Sequence, residues 1–484
     1  MGKTSNLNLS MLCDFYELTM GNGYLKEGIG DRICYFDIFY RSVPDNGGYA
    51  ICAGLEQVIE YIQELHFDED DIAFLRSKNL FCEEFLDYLK NFKFTGDIWA
   101  IPEGTPIFPR EPIMTVRAPA IQAQLIETYA LLSINHQSLI ATKANRITRA
   151  AEGRTVMEFG SRRAQGESAA VTGARAAFIG GCAATACTVS DEVYGVPAAG
   201  TMAHSWVQMF DTEYDAFVAY CKAYPNNATL LVDTYNSLKS GVPNAIKAFN
   251  EVLKPLGITR CGIRFDSGDM TYLTQQARKM LDDAGWPECK ITVSNSLDER
   301  LIRELLNQGA CIDSMGVGER LITAESAPVF GGVYKLVAVE KNGEIIPKIK
   351  ISENVAKITN PGFKHTYRFF DKTTGKAEAD YICMHDEVVD DTFPLEICDP
   401  DAKWKKKLIT NFTAVELQVP IFKNGELVYK CPSLPEIKEY CKQQVHTLWK
   451  EVKRFDNPHN YYVDLSEKLM TLKENMLNEA GKKV

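Results

Sequence analysis

Cys261-Gly262-Ile263-Arg264-Phe265-Asp266-Ser267-Gly268-Asp269 decides how this chain is read. Its first five residues form a β-prone run, and its last four are turn formers. A helical stretch, Met270 to Ala284, follows. A strand thus ends in an arginine and two carboxylates and gives way to a helix, the pattern of a βα unit. Outward in both directions the same grammar repeats. Thr155-Val156-Met157-Glu158-Phe159 precedes an alanine-rich helical run ending at Phe178. Ala198 to Met202 is short and apolar, with a helix after it near Glu213 to Tyr224. Leu230-Leu231-Val232-Asp233 leads to a helix at about Asn244 to Leu253. Ile291-Thr292-Val293-Ser294 leads to the clearest helix of all. There Ser296-Leu297-Asp298-Glu299 reads as a capping box, Leu301, Ile302, Leu305 and Leu306 as the apolar stripe, and Gly309 as the stop. Cys311-Ile312 opens a last strand, which ends in Gly316-Val317-Gly318.

Strand ends recur roughly 20 to 40 residues apart, the spacing of parallel strands joined by helices. A closed barrel and an open doubly wound sheet share that rhythm. The strand ends separate them. Glu158 and Arg162, Thr201 and His204, Asp233, Arg264 and Asp266, Ser294 and Asn295, Gly316 and Gly318 are all unsuited to a core. Chemistry drawn from many strand ends is what a barrel gathers around one axis, whereas an open sheet uses only its switch point. The expected fold is α/β: an irregular (β/α) TIM-like barrel over 141–340. Residues 1–140 mix helices and short strands such as Gly96 to Gly104. Residues 341–484 carry a Lys341-Asn342-Gly343-Glu344 hairpin signal and amphipathic helices at Pro435 to Leu448 and Leu465 to Glu479. These two segments are expected to form a second, α+β domain together.

The 484 residues include 53 basic and 64 acidic side chains, a formal net charge of -11, with 45% hydrophobic residues. That usage is globular, and the charge excludes a surface coated for nucleic acid or acidic lipid. No nucleic-acid or membrane partner is expected. Asn6, Asn8 and Ser10 stand where a signal peptide is apolar, so a cytoplasmic location is expected. The 14 cysteines are scattered without a CxxC pair, which reads as reduced thiols with no metal site spelled by spacing. Cys383, Cys398, Cys431 and Cys441 share one region, but nothing in their spacing assigns them a metal.

Four segments carry chemistry. Asp266 and Asp269 beside Gly268 suit ribose hydroxyls or a divalent cation, or simply cap a turn. Gly316 and Gly318, with Thr323 nearby, suit a phosphate held by backbone N–H groups, or are an ordinary glycine turn. Phe159 with Arg162 and Arg163 suits a planar anionic ligand, or is core plus surface charge. His204, one of only seven histidines, suits a nucleophile or proton carrier near phosphates, although a lone histidine is more often structural. A ligand with phosphate, ribose and a planar anionic ring would use all four.

These segments, in this order, resemble the nicotinate phosphoribosyltransferase family. Asp14-Phe15-Tyr16-Glu17-Leu18-Thr19-Met20, Tyr40-Arg41-Ser42-Val43-Pro44 and Gly331-Gly332-Val333-Tyr334-Lys335 extend the likeness. The resemblance implies a barrel phosphoribosyltransferase, usually a homodimer with shared active sites. It implies nicotinate, 5-phosphoribosyl 1-pyrophosphate and ATP as substrates, with Mg²⁺. Products would be nicotinate mononucleotide, pyrophosphate, ADP and phosphate. His204 matches the transiently phosphorylated histidine. Tyr16 and Phe159 match the aromatics around the pyridine ring, and Arg162, Thr201 and Arg264 match residues near its substituent. Asp266 matches the catalytic carboxylate at the ribose hydroxyls. Gly316, Gly318 and Thr323 match the phosphate loop, with Arg41 and Lys335 for pyrophosphate charge. Glu319-Arg320 departs from the small hydroxyl residue many relatives carry after the loop. Gly181 to Ala186 lacks the acid of nicotinamide-using relatives, which favours nicotinate. Nicotinamide or quinolinate transfer, and a non-catalytic metabolite-binding protein on the same fold, are the alternatives.

Overall fold

The structure is a computed structural model that describes residues 8–354, 357–400, 402 and 404–481. Asn6 therefore lies outside the described residues. The chain divides into two compact units, one of Ile140–Pro328 and one of Met1–Leu139 with Val329–Val484.

The 140–328 unit is built on six strands in the order Ala184–Thr185, Thr155–Glu158, Ser314–Val317, Lys290–Ser294, Gly262–Phe265, Thr229–Leu231. All neighbours are parallel. The first strand in sequence, Thr155–Glu158, pairs with the last, Ser314–Val317, as in a barrel, yet the ring does not close. No ladder joins Ala184–Thr185 to Thr229–Leu231 among the described residues. A closed TIM-like barrel is therefore corrected to an open six-stranded α/β sheet. The cause lies in the expected strand Ala198 to Met202, which makes only one bridge, Ala198 to Thr185. Small side chains and the preceding Pro197 favour strand poorly. The segment's later polar atoms, Thr201 Oγ1 and Met202 O, accept instead from Arg264.

The other strands form where the apolar runs predict. Ile263, Phe265, Leu230, Leu231 and Val232 pack with Phe217, Phe249 and Trp286 into one buried cluster. Polar strand ends stay outside it. The helix Glu299–Asn307 has its cap elsewhere than predicted: Asp298, not Ser296, accepts from Arg300 N and Leu301 N. Ser296 adopts a positive φ of 38° and donates to Glu319 instead. Glu299 is buried against Lys143 and Arg146 rather than turned back to a cap.

The other unit holds a seven-stranded antiparallel sheet, in the order Glu344–Pro347, Val333–Lys341, Ile33–Phe39, Met114–Pro119, Asp97–Ala100, Val419–Lys423, Glu426–Leu427. Three N-terminal strands thus lie side by side, with a pair of later strands on either flank. Val333–Lys341, counted above within 141–340, pairs here with Ile33–Phe39. Asn342 and Gly343, at φ 55° and 80°, make the predicted hairpin turn. A four-stranded sheet, Phe412–Glu416, Lys364–Asp371, Ala377–Met384 and Val463–Leu465, completes the unit's larger sheets.

Glu17, in the helix Phe15–Lys26, is fully buried and takes one hydrogen bond, from Thr128 Oγ1. Its second oxygen has no partner. Burial pushes its carboxyl up to about 7, the Thr128 bond offsetting only part of this. The folded state therefore holds a proton that the unfolded state releases at lower pH. Stability from this group is full below the unfolded carboxyl range and is lost as pH rises towards 7. Glu17→Gln copies the protonated form and should be more stable than the parent at pH 8 by up to about 3 kcal/mol, the worth of the shift. The gain should vanish at pH 4. Unfolding curves at the two pH values check it, and a pH-independent difference would refute it.

Candidate active site

Polar strand ends of the 140–328 unit converge on a cavity of about 520 Å³. Phe159, Ser161, Arg162 and Arg163 come from the end of Thr155–Glu158, and Gly200 to His204 from the broken segment. Arg264 and Asp266 end Gly262–Phe265, Ser294 to Ser296 end Lys290–Ser294, and Gly316, Gly318 and Glu319 end Ser314–Val317. The parallel register explains the convergence. Thr292 lies opposite Arg264 and Ser314, so the residues beyond each strand leave the sheet at one edge.

Arg264 is the hub. Its Nη1 donates to Thr201 Oγ1 at 2.7 Å and to Met202 O at 3.3 Å, its Nε to Ser294 Oγ at 3.0 Å, and its Nη2 to Asp266 Oδ1 at 3.2 Å. Ser294 Oγ also donates to Asp266. Burial pushes the Asp266 carboxyl up, but the Ser294 hydroxyl and the Arg264 guanidinium outweigh it and hold Asp266 below the usual carboxylate range. It is therefore an anion at neutral pH.

His204 opens a short helix with its Nδ1 3.1 Å from Thr234 Oγ1. Its Nε2 lies 4.0 Å from Asp233 Oδ1 and 3.9 Å from Asp266 Oδ2. Asp233 is anchored through its other oxygen, which accepts from Asp266 N at 2.8 Å and Ser267 Oγ at 2.7 Å. Its Oδ1 is buried without a hydrogen-bond partner. An unpartnered carboxylate oxygen beside a second carboxylate suits a divalent cation with water ligands.

Phe159 lies on the backbone of Gly316. A Cβ at 316 would stand 2.3 Å from Phe159 Cδ2, so only glycine fits. Glu158, fully buried below, accepts from Gly160 N and Thr185 Oγ1 and fixes the turn that aims Phe159. Burial raises its carboxyl, and those two donors hold it back in part. Gly316→Ala should displace the ring without unfolding the chain. A roughly three- to tenfold rise in KM for the planar substrate is expected, the worth of one aromatic contact. Steady-state kinetics check it, and an unchanged KM would separate Phe159 from binding.

Nine predicted residues thus meet: Phe159, Arg162, Thr201, His204, Arg264, Asp266, Gly316 and Gly318 in the cavity, with Arg163 beside Glu319 at 3.8 Å. Thr323 is not among the lining; its hydroxyl donates to Glu319 O. Tyr16, Arg41 and Lys335 belong to the other unit and do not line this cavity. Tyr16 is 42% exposed, and burial with Glu127 raises its hydroxyl. Lys335 is lowered by burial, against the pull of Glu127. Arg41 lines a separate cavity of its unit together with Arg110, Lys405 and Arg454, and its Nε is buried without a partner. Sequence reading marks Asp233, Ser294 and Glu158 only as polar strand ends and gives no sign of Thr234. Their position beside the named residues was the available signal.

Family models for the N-terminal and C-terminal domains of nicotinate phosphoribosyltransferase match residues 11–135 and 363–473. A nicotinate phosphoribosyltransferase of Bacillus subtilis is 42% identical over 99% of this chain and 97% of its own. One of Mycobacterium tuberculosis is 37% identical over 95% of this chain and 92% of its own. The crystal structure of the human nicotinic acid phosphoribosyltransferase superposes with a TM-score of 0.83 at 27% identity, covering 96% of this chain and all (100%) of that one. Among the described residues no helix is long and apolar enough to cross a membrane.

Proposed function

Since the chain belongs to the nicotinate phosphoribosyltransferase family, we propose that its strand-end cavity transfers phosphoribosyl from 5-phosphoribosyl 1-pyrophosphate to nicotinate, coupled to ATP hydrolysis. The single observation that carries this reading is the Arg264 hub, which ties a ring-side hydroxyl, Thr201, to the ribose-side carboxylate, Asp266. One guanidinium thereby sets the distance between the two halves of the reaction.

The chemistry follows from charge. As pyrophosphate departs, positive charge builds on the ribosyl carbon and negative charge on the leaving group. Asp266, ionised and fixed, faces the first. Arg162 and Arg163 supply cations for anionic groups in the cavity. The pyridine nitrogen, held by stacking on Phe159, then meets the ribosyl carbon, and most of the gain is positional. Nicotinate is favoured over nicotinamide because Ala186 lines the wall where an acid would accept an amide N–H, and Arg162, Arg163 and Arg264 offer cations to a carboxylate.

His204 is the proposed phosphoryl acceptor. A proton on Nδ1 shared with Thr234 leaves the Nε2 lone pair free to attack the terminal phosphorus of ATP, releasing ADP. Water later cleaves the phosphoimidazole to give phosphate. Asp233 and Asp266 would hold the Mg²⁺, which supplies charge neutralisation for phosphate oxygens. The chain is proposed to work as a homodimer with shared active sites, Tyr16 of one copy serving its partner's pyridine ring. Arg41 and Lys335 are proposed for pyrophosphate charge, and Gly316 and Gly318 for the phosphate loop, with Thr323 as a less direct member. A cytoplasmic location is part of the same proposal.

The test offers nicotinate, nicotinamide or quinolinate with the phosphoribosyl donor and Mg²⁺, with and without ATP, and measures mononucleotide formed. Nicotinate turnover stimulated by ATP is expected. Preference for another pyridine overturns the substrate, and binding without turnover would leave a metabolite-binding protein.

A further inference from the structure

Two cysteines stand side by side at the strand starts opposite the strand ends that line the cavity described. Cys261 immediately precedes the strand Gly262–Phe265 and Cys289 immediately precedes Lys290–Ser294. Gly262 and Lys290 are register partners, and Lys290 N donates to Cys261 O at 2.9 Å, so the two cysteines face each other across adjacent parallel strands. Such strands lie about 4.8 Å apart, inside the Cα separation of roughly 4.4–6.8 Å that a disulfide spans. Both thiols are free, Cys261 at 8% and Cys289 at 1% exposure. They belong to the same buried cluster.

Access to the two thiols is unequal. Cys261 lines a second cavity of about 520 Å³ together with Arg260 and Lys290, whereas Cys289 does not line it. The adjacent Cys261 thiol and burial both raise the Cys289 thiol and keep it neutral. One cysteine is open to a small oxidant and the other waits behind it, as in an attacking and resolving pair.

We propose that Cys261 and Cys289 are a peroxide-sensitive thiol pair that closes to a reversible disulfide between two site-bearing strands. Hydrogen peroxide transfers one oxygen to the Cys261 sulfur, giving a sulfenic acid, and its other oxygen leaves as water. The Cys289 sulfur then attacks the Cys261 sulfur, the S–O bond breaks, and the hydroxyl departs with the Cys289 proton as a second water. Two thiols lose two electrons, and one peroxide gains them. The far ends of the joined strands carry Arg264, Asp266 and Ser294, so the bond ties together the scaffold of those residues.

The experiment treats the full chain, freed of reductant, with a few equivalents of hydrogen peroxide. Remaining thiols are alkylated before trypsin digestion and mass spectrometry. The expected product is the peptide 261–264 joined to 280–290, two mass units lighter than the free pair and separated by dithiothreitol. Cys289→Ser, or Cys289→Ala where serine destabilises the fold, should instead leave a Cys261 sulfenic acid that dimedone traps. The proposal is overturned when Cys261 pairs with its other buried neighbour, Cys221, or when Cys261 and Cys289 are recovered alkylated while more exposed cysteines such as Cys311 are oxidised.

Discussion

Nicotinate turnover by the His204→Ala variant is expected to be indifferent to ATP. The imidazole is held by Thr234 at Nδ1 and presents Nε2 to the cavity beside Asp233 and Asp266. Among the described residues no other histidine lines that cavity. On the proposed mechanism, removing the imidazole removes the covalent phosphoryl intermediate. The ATP-stimulated rate should fall by about 10²- to 10⁴-fold, the range for loss of a positioned proton-transfer or nucleophilic side chain. ADP release should fall in parallel. Slow ATP-independent transfer should persist, because Arg264, Asp266 and Phe159 do not depend on the imidazole. His204 is 40% exposed, so folding stability should change by less than about 1 kcal/mol. Initial rates of mononucleotide and ADP formation, with and without ATP, decide the matter. ATP stimulation equal to that of the parent would remove His204 from the coupling.

Arg264→Lys is expected to do comparable damage by another route. Four contacts radiate from one planar guanidinium to Thr201, Met202 O, Ser294 and Asp266. An ammonium carries the same charge but cannot reach in four fixed directions. Asp266 would turn, Thr201 would lose its anchor, and the broken segment would be freed. A fall of about 10³-fold in kcat/KM is expected, of the order seen when a preorganised charge-stabilising donor is lost. It should be divided between a raised nicotinate KM and a reduced kcat, since the residue holds both Thr201 and Asp266, proposed above for the two halves of the reaction. The side chain is only 15% exposed, so some loss of stability should accompany it. Kinetics at saturating donor, with unfolding measured alongside, separates the two. A variant with KM and kcat near those of the parent would contradict the role of the hub.

Much of this was legible in the residues. Runs such as Ile291 to Ser294 announce their strands because apolar β-branched residues bounded by turn formers have few other uses. The convergence on one cavity was legible because Arg264 and Asp266 are ill suited to a core and sit where a strand stops. Two features were not local. Ala198 to Met202 reads as a strand, but its polar atoms are claimed by Arg264, some 60 positions away, and the sheet stays open there. Ser296 reads as a cap, yet Glu319 takes its hydroxyl while Lys143 and Arg146 draw Glu299 inward, leaving Asp298 to cap. Long-range ion pairs outweigh a local capping preference worth about 1 kcal/mol.

The seven-stranded sheet, its N-terminal strands flanked on both sides by later ones, has a consequence for synthesis on the ribosome. Ile33–Phe39 is buried between Met114–Pro119 and Val333–Lys341, and the second neighbour is made some 300 residues later. At roughly 5–20 residues per second, one edge of that early strand waits about 15 to 60 s for its partner. The 140–328 unit is continuous in sequence and meets no such delay. Vectorial synthesis thus favours completion of the 140–328 unit first, while the nascent N-terminal strands present an open apolar edge of the kind that chaperones shield.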